Sequence, residues 1–212
     1  MDIPILFRDD RFVVLDKPAG LPVHPGRAGG PSVEDIFPAL SRRRDGPWLA
    51  HRLDTDTAGC LVVALRKAAL VAAQAEFAAG RVAKTYWAVV LGGPVESAGV
   101  ISAPLAKVTI GRTWKMQVEP GAKPAVTKWR VLGRGADTAW LELHPQTGRT
   151  HQVRAHCAAL GCPILGDVIY GGGPDALHLL ARAIHLPLAP PVQATAPPPS
   201  HMHAAMGLCG WV

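Results

Sequence analysis

The segment LAHRLDTDTAGCLVVA, residues 49–64, decides how the rest of the chain is read. His51, Arg52, Asp54 and Asp56 crowd together just ahead of Cys60-Leu61-Val62-Val63-Ala64-Leu65, an unbroken apolar run. A run that is continuous rather than alternating fits a strand covered on both faces. The charged residues then fall in a turn at one end of a sheet, where rigid strands commonly hold functional side chains. A carboxylate in such a turn, with cations beside it, stays ionised at neutral pH. It is then a competent nucleophile or general base. The competing structural reading pairs Asp54 with Arg52 and lets the threonines make local backbone bonds. Local chemistry does not separate Asp54 from Asp56. A kinase HRD loop is excluded, because Leu53 intervenes and neither a glycine-rich phosphate loop nor DFG is present.

Upstream, ILFRDDRFVVLDKPAGLPVHPG (5–26) predicts two short strands around the turn Arg8–Arg11, then a loop that Pro18, Gly20, Pro22, Pro25 and Gly26 keep irregular. Ser32, with Asp35 three residues later, marks a helix start, and that helix ends near Arg42-Arg43-Arg44. Downstream, residues 66–79 carry Leu70, Ala73 and Phe77 at helical spacing, and Gly80 stands at the C-cap. KTYWAVVLGG (84–93) reads as a strand. Residues 94–125, with scattered Lys107, Arg112, Lys115 and Lys123, read as hairpins or an insertion over one surface. VTKWRVLG (126–133) and TAWLELH (138–144) alternate as half-buried antiparallel strands do.

RTHQVRAHCAALG (149–161) predicts a helix with Val153, Cys157 and Leu160 on one face and His151 beside Arg154 on another. LHLLARAIHLPL (177–188) is a last apolar element, and PPVQATAPPPSHMH (190–203) is expected to be extended. The whole predicts one α+β domain on a mixed, largely antiparallel sheet with flanking helices. It occupies residues 1–190, followed by a Pro/Ala-rich tail over 191–212.

The chain has 212 residues, 49% hydrophobic and 18% charged, enough to bury a core. Its formal net charge of +6 points to a polyanionic partner, nucleic acid first. No apolar run approaches the roughly 18 residues of a membrane span, and the amino terminus lacks a signal-peptide core. The expected location is cytoplasmic, with no membrane partner. Cys60, Cys157, Cys162 and Cys209 lack zinc-site spacing and are expected to be buried thiols, with no metal.

HRLDTDTAG followed by CLVVAL closely resembles the active-site signature of the RluA-type pseudouridine synthases, usually HRLDxxTSG. Three further stretches match in the same order. VLDKPAGLPVHPG (14–26) resembles the family's N-terminal motif. KTYWAVVLG (84–92) resembles its central Lys-x-Tyr strand, and LHPQTGRTHQVRAHCAALGCPILGDVIYG (143–171) its long third motif.

The resemblance implies that Asp54 is the catalytic carboxylate and that Arg52 helps displace the target base. It implies that Tyr86 stacks on the target uracil and that Arg154 pairs with the carboxylate. Lys17, Lys84 and Arg149 are left between phosphate contacts and structural bonds, and His151 receives no catalytic role. Ala58 departs from the signature's serine, and Leu180-Ala181-Arg182 departs from the usual Leu-His-Ala near the last strand.

The implied reaction breaks the N1–C1′ bond of uridine, turns the base and rejoins it through C5. It is an isomerisation that needs no cofactor, and no dinucleotide or phosphate-loop motif is present. The expected partner is a structured RNA, transfer RNA or large-subunit ribosomal RNA. No obligate protein partner is implied, the expected state is a monomer, and no separate S4 domain is expected ahead of the catalytic motif. The competing functional classes are an inactive RNA-binding module of the same fold and an aspartate-dependent hydrolase of a nucleoside-like substrate.

Overall fold

The computed structural model describes residues 2–26, 29–43, 45–111 and 113–212. Arg44 of the arginine triplet and Arg112 lie outside the described residues. In chain order the first elements are β1 (Ile5–Arg8), β2 (Phe12–Lys17), a 3-10 turn (Val33–Ile36) running into α1 (Phe37–Leu40), β3 (Trp48–Leu49), β4 (Ala58–Ala64) and α2 (Lys67–Ala78). Then come β5 (Ala83–Leu91), β6 (Ala98–Ser102), β7 (Leu105–Ile110), β8 (Thr113–Val118), β9 (Val126–Arg134) and β10 (Thr138–Pro145). The chain closes with α3 (Gln152–Ala159), β11 (Leu179–Leu186), β12 (Val192–Thr195) and α4 (Ser200–Leu208). The architecture is α+β with mixed, largely antiparallel strands, as the pattern predicts. The chain divides into two compact units, Met1–Lys84 with Leu180–Pro198, and Thr85–Leu179 with Pro199–Val212.

In the first unit β4 is central, and all seven of its residues are buried, which explains its unbroken apolar sequence. It pairs antiparallel with β2 (Val14 opposite Val62) and with β3 (Leu49 opposite Val63), and parallel with β11 (Leu180 opposite Ala58). The parallel approach requires Gly59. Its φ is +106°, and a Cβ there would run into the Ala181 carbonyl. Helix α2 turns Ala69, Leu70 and Ala73 inward, and Gly80, at φ +69°, follows its end. Ahead of α1 one half of the expected capping box is made, the Ser32 N–H donating to Asp35 Oδ2 at 3.0 Å.

In the second unit β5, β10, β9 and β6 pair antiparallel in that order. Ala88, Val90, Leu141, Leu143 and Trp129 from this sheet form a core with Val153 and Cys157 of α3. Strands β7 and β8 form a hairpin, and its Leu105 and Met116 pack against Ala125 and Ala155.

The tail is extended over residues 192–195, as expected, and the structure corrects it over residues 200–208. Residues 192–195 pair with β11 and alternate buried and exposed. Residues 200–208 are a helix whose Met202 and Met206, one turn apart, are fully buried. The proline run before Ser200 sets the helix start rather than forbidding a helix, since proline is tolerated at and before a first turn. All four cysteines are buried free thiols, and burial pushes Cys60 up to about 12.

Candidate active site

The HRLDTDT segment is a turn held from below by a buried cation. The Thr57 N–H donates to the Asp54 carbonyl at 3.1 Å and closes a β-turn directly ahead of β4. Lys17, at the end of β2, is fully buried, and its Nζ donates to the carbonyls of Thr55 (2.8 Å), Pro18 (2.8 Å) and Leu21 (2.7 Å). The Gly20 N–H also reaches the Thr55 carbonyl, at 3.0 Å. One ammonium therefore ties the proline-glycine loop to the turn that bears Asp54 and satisfies all three of its donors. Burial pulls Lys17 down to about 8, while the Asp56 and Asp54 carboxylates act in the opposite direction. Lys17 is a structural cation, which settles the choice left open by the sequence.

His51 stands under the same turn. Its Nε2 accepts the Val62 N–H at 3.0 Å, and its ring lies 5.0 Å from that of Phe77 on α2. Burial, with the Lys84 charge adding to it, pulls His51 down to about 4. It is a neutral acceptor that joins the turn to β4. Burial also lowers Lys84. Arg52 and Asp56 are exposed and Asp54 is half-buried. A carboxylate with solvent access on a stiff turn suits nucleophilic or base chemistry.

In the second unit Tyr86 lies on β5 opposite Leu143 of β10, half-buried at the margin of the core. Arg154, one turn into α3, is buried; the solvated helix face that its sequence position also allowed is ruled out. Its Nε donates to Asp167 Oδ2 and its Nη2 to Asp167 Oδ1, both at 2.7 Å, a bidentate pair. Asp167 Oδ1 also accepts the N–H groups of Ile169 (3.1 Å) and Tyr170 (3.3 Å), so the carboxylate is itself fixed.

A polar chain leads from Arg154 to the β7–β8 hairpin. Arg154 Nη1 lies 3.4 Å from His151 Nε2, and His151 Nδ1 lies 3.3 Å from the Tyr170 hydroxyl, which accepts the Met116 N–H at 2.9 Å. A guanidinium can only donate, so Nε2 is the accepting nitrogen and Nδ1 carries the proton. His151 adopts φ +49°, the left-handed region, at the N-cap of α3. Its ring stacks on Trp114 at 4.9 Å, and Lys107 Nζ lies 4.4 Å from the Trp114 ring centre. Gln152 fixes the approach to the helix, accepting the Arg149 N–H (3.0 Å) and the Thr147 hydroxyl (2.7 Å). The Arg149 guanidinium itself bonds the Pro124 carbonyl.

Sequence reasoning quoted Asp167 and Tyr170 within GDVIYG but gave them no part. The signal was an acid a short loop beyond the helix that carries Arg154. Among the described residues no cluster of His, Cys, Asp or Glu is arranged to hold a metal ion.

The Asp54 turn belongs to the first unit and the buried Arg154–Asp167 clamp to the second. The family model described as RNA pseudouridylate synthase matches residues 11–159. The chain is 37% identical over 204 residues to an uncharacterized RNA pseudouridine synthase of Zymomonas mobilis, covering 92% of this chain and 93% of that one. It is 41% identical over 196 residues to ribosomal large subunit pseudouridine synthase D of Nitrosomonas europaea, covering 86% of this chain and 56% of the relative. The solved structure of human RNA pseudouridylate synthase domain containing 4 superposes with a TM-score of 0.82 at 30% identity, over 97% of this chain and 92% of that one.

The chain belongs to the RNA pseudouridylate synthase family, in its RluA-type branch, and is an isomerase.

Proposed function

We propose that this enzyme converts a specific uridine of structured RNA to pseudouridine, with Asp54 as the catalytic carboxylate. The names of relatives such as the Nitrosomonas protein favour large-subunit ribosomal RNA over transfer RNA as the substrate. The observation that carries the assignment is the turn itself: Asp54 opens a β-turn whose Thr55 carbonyl is pinned by the buried Lys17 ammonium. A nucleophile needs its position set before substrate arrives, since misplacement on the order of 1 Å costs about a hundredfold in rate.

The target nucleotide leaves its stack at a cost of a few kcal/mol. Arg52, exposed at the start of the turn, fills the space the base vacates, and Tyr86 receives the base by stacking, worth about 1–3 kcal/mol. Asp54 then attacks the base or the sugar, or removes a sugar proton, and the N1–C1′ bond breaks. The base turns and joins C1′ through C5, which releases any bond made by Asp54; the proton on C5 is lost and the freed N1 takes up a proton. Arg154, locked in its charged form by Asp167, is assigned to hold the carboxylate ionised.

Release of tritium from large-subunit ribosomal RNA transcribed with 5-tritiated uridine tests the reading. The wild type is expected to release tritium and Asp54→Asn to release none, while both bind the transcript equally. Full activity in Asp54→Asn would overturn the assignment.

A further inference from the structure

We infer that a groove in the Met1–Lys84 unit seats the phosphodiester backbone of the substrate RNA several nucleotides away from the target uridine. The inference rests on the proposed RNA reaction and adds a second place of contact. The groove has a volume of about 510 Å³ and is lined by Arg8, Asp9, Asp10, Arg42, Arg43 and Arg66, with Leu40 and neighbouring apolar groups at its base.

Four arginines face two aspartates in this lining, and both aspartates are engaged within the protein. Asp9 accepts the Arg11 guanidinium (2.8 Å) and the N–H groups of Arg11 (2.8 Å) and Phe12 (2.6 Å), so it shapes the β1–β2 turn. Asp10 Oδ2 pairs with Arg66 Nη2 at 2.8 Å, and Arg66 Nε donates to the Asp10 carbonyl at 2.9 Å. Arg8 Nη2 donates to the Leu40 carbonyl at 2.9 Å and fastens β1 to the end of α1. Arg8 and Arg66 therefore build the walls.

Arg42 and Arg43 have no such task. Both are exposed. Arg42 makes no hydrogen bond or ion pair among the described residues, and the Arg43 guanidinium comes only within 3.8 Å of Asp45, both side chains being mostly in water. An exposed pair of this kind contributes little. The Arg43 N–H is nevertheless fixed, donating to Ser41 Oγ at 3.2 Å. Two adjacent guanidiniums thus stand on a concave rim where field lines concentrate, and the guanidinium fork matches a phosphate.

The groove is not the target nucleotide's pocket. Asp54 lies in the turn that leads into β4, four residues before its first, whereas Leu65 and Arg66 of the groove follow its last. Seven residues of strand lie between them, about 23 Å at roughly 3.3 Å per residue. A contact this far from the reacting base, made to phosphates, raises affinity without reading sequence.

The test measures binding of a labelled stem-loop RNA of arbitrary sequence by fluorescence anisotropy over a range of salt concentrations. The full chain is compared with its Arg42→Ala/Arg43→Ala variant. Each phosphate contact contributes about 0.9 to the slope of log K against log salt. The variant is expected to lose about 2 in that slope and to bind about tenfold more weakly at low salt. Its tritium release at saturating transcript should match the wild type. An unchanged slope and affinity would overturn the proposed groove contact. A wild type that binds RNA yet releases no tritium would instead sink the enzyme reading, so the two failures are distinct.

Discussion

The ammonium of Lys17 donates to the carbonyl of Thr55 at 2.8 Å, joining two segments 38 residues apart in sequence. It also bonds the Pro18 and Leu21 carbonyls, so the proline-glycine loop and the turn bearing Asp54 share one buried charge. Replacing it strands three carbonyls. Lys17→Met is expected to lower stability by about 2–4 kcal/mol, measured by urea denaturation. Tritium release under conditions where the variant is still folded should fall further than its RNA affinity does. Equal loss of both would reduce Lys17 to a general stability role.

Arg154 and Asp167 form a bidentate pair with side chains 4% and 0% exposed. Asp167→Asn leaves a buried guanidinium without its counter-charge, at a cost of about 3–5 kcal/mol. Arg154→Lys keeps the charge but loses the fork, so it should be less damaging to stability and still inactive or nearly so. Thermal unfolding and single-turnover rates, taken on the same samples, separate these effects.

His51 predicts a pH dependence of stability. Its folded value, about 4, lies below its ordinary 6.5. As pH falls from 6.5 toward 4, unfolded chains bind a proton that folded chains refuse. Stability is therefore complete above pH 6.5 and is lost progressively on acidification through that window. His51→Gln keeps an acceptor for the Val62 N–H and removes the proton. Its unfolding free energy should fall less steeply over this range, by up to about 1.4 kcal/mol per pH unit. Burial also lowers His156 and His178, so both proteins decline and the difference isolates His51.

Gly59 sits at φ +106° where β4 meets the Ala181 carbonyl of β11. Gly59→Ala combines backbone strain, about 1–2 kcal/mol, with overpacking, about 1–3 kcal/mol. The expected result is a marked fall in melting temperature, with activity per folded molecule reduced because Gly59 follows the Asp54 turn by only a few residues. A melting temperature equal to wild type would show that the strands part without cost.

Much of this was legible in the sequence because local physics carried it. The apolar run of β4 announced a strand buried on both faces, and the Leu70, Ala73 and Phe77 spacing announced α2. Both were found, Lys67–Ala78 against the expected 66–79. The motif resemblance reached the family. It left the roles of Asp54, Arg52, Tyr86 and Arg154 as assignments for mutagenesis. Where proline composition dominated, the reading failed: residues 200–208 are helical because Met202 and Met206 have a core to fill, which a window of composition does not register.

The sequence by itself determined most of the secondary-structure pattern outside the proline-rich tail, the order of the motifs and the family, since these follow from neighbours along the chain. Only the tertiary structure decided that Lys17 supports the turn instead of meeting phosphate. The same holds for the clamp on Arg154 by Asp167, and for the neutral His51 beneath β4. Each depends on a charged or polar group being withdrawn from water and meeting a particular partner. That free energy is set by burial and by contacts between distant residues, and neither is written in any short stretch of chain.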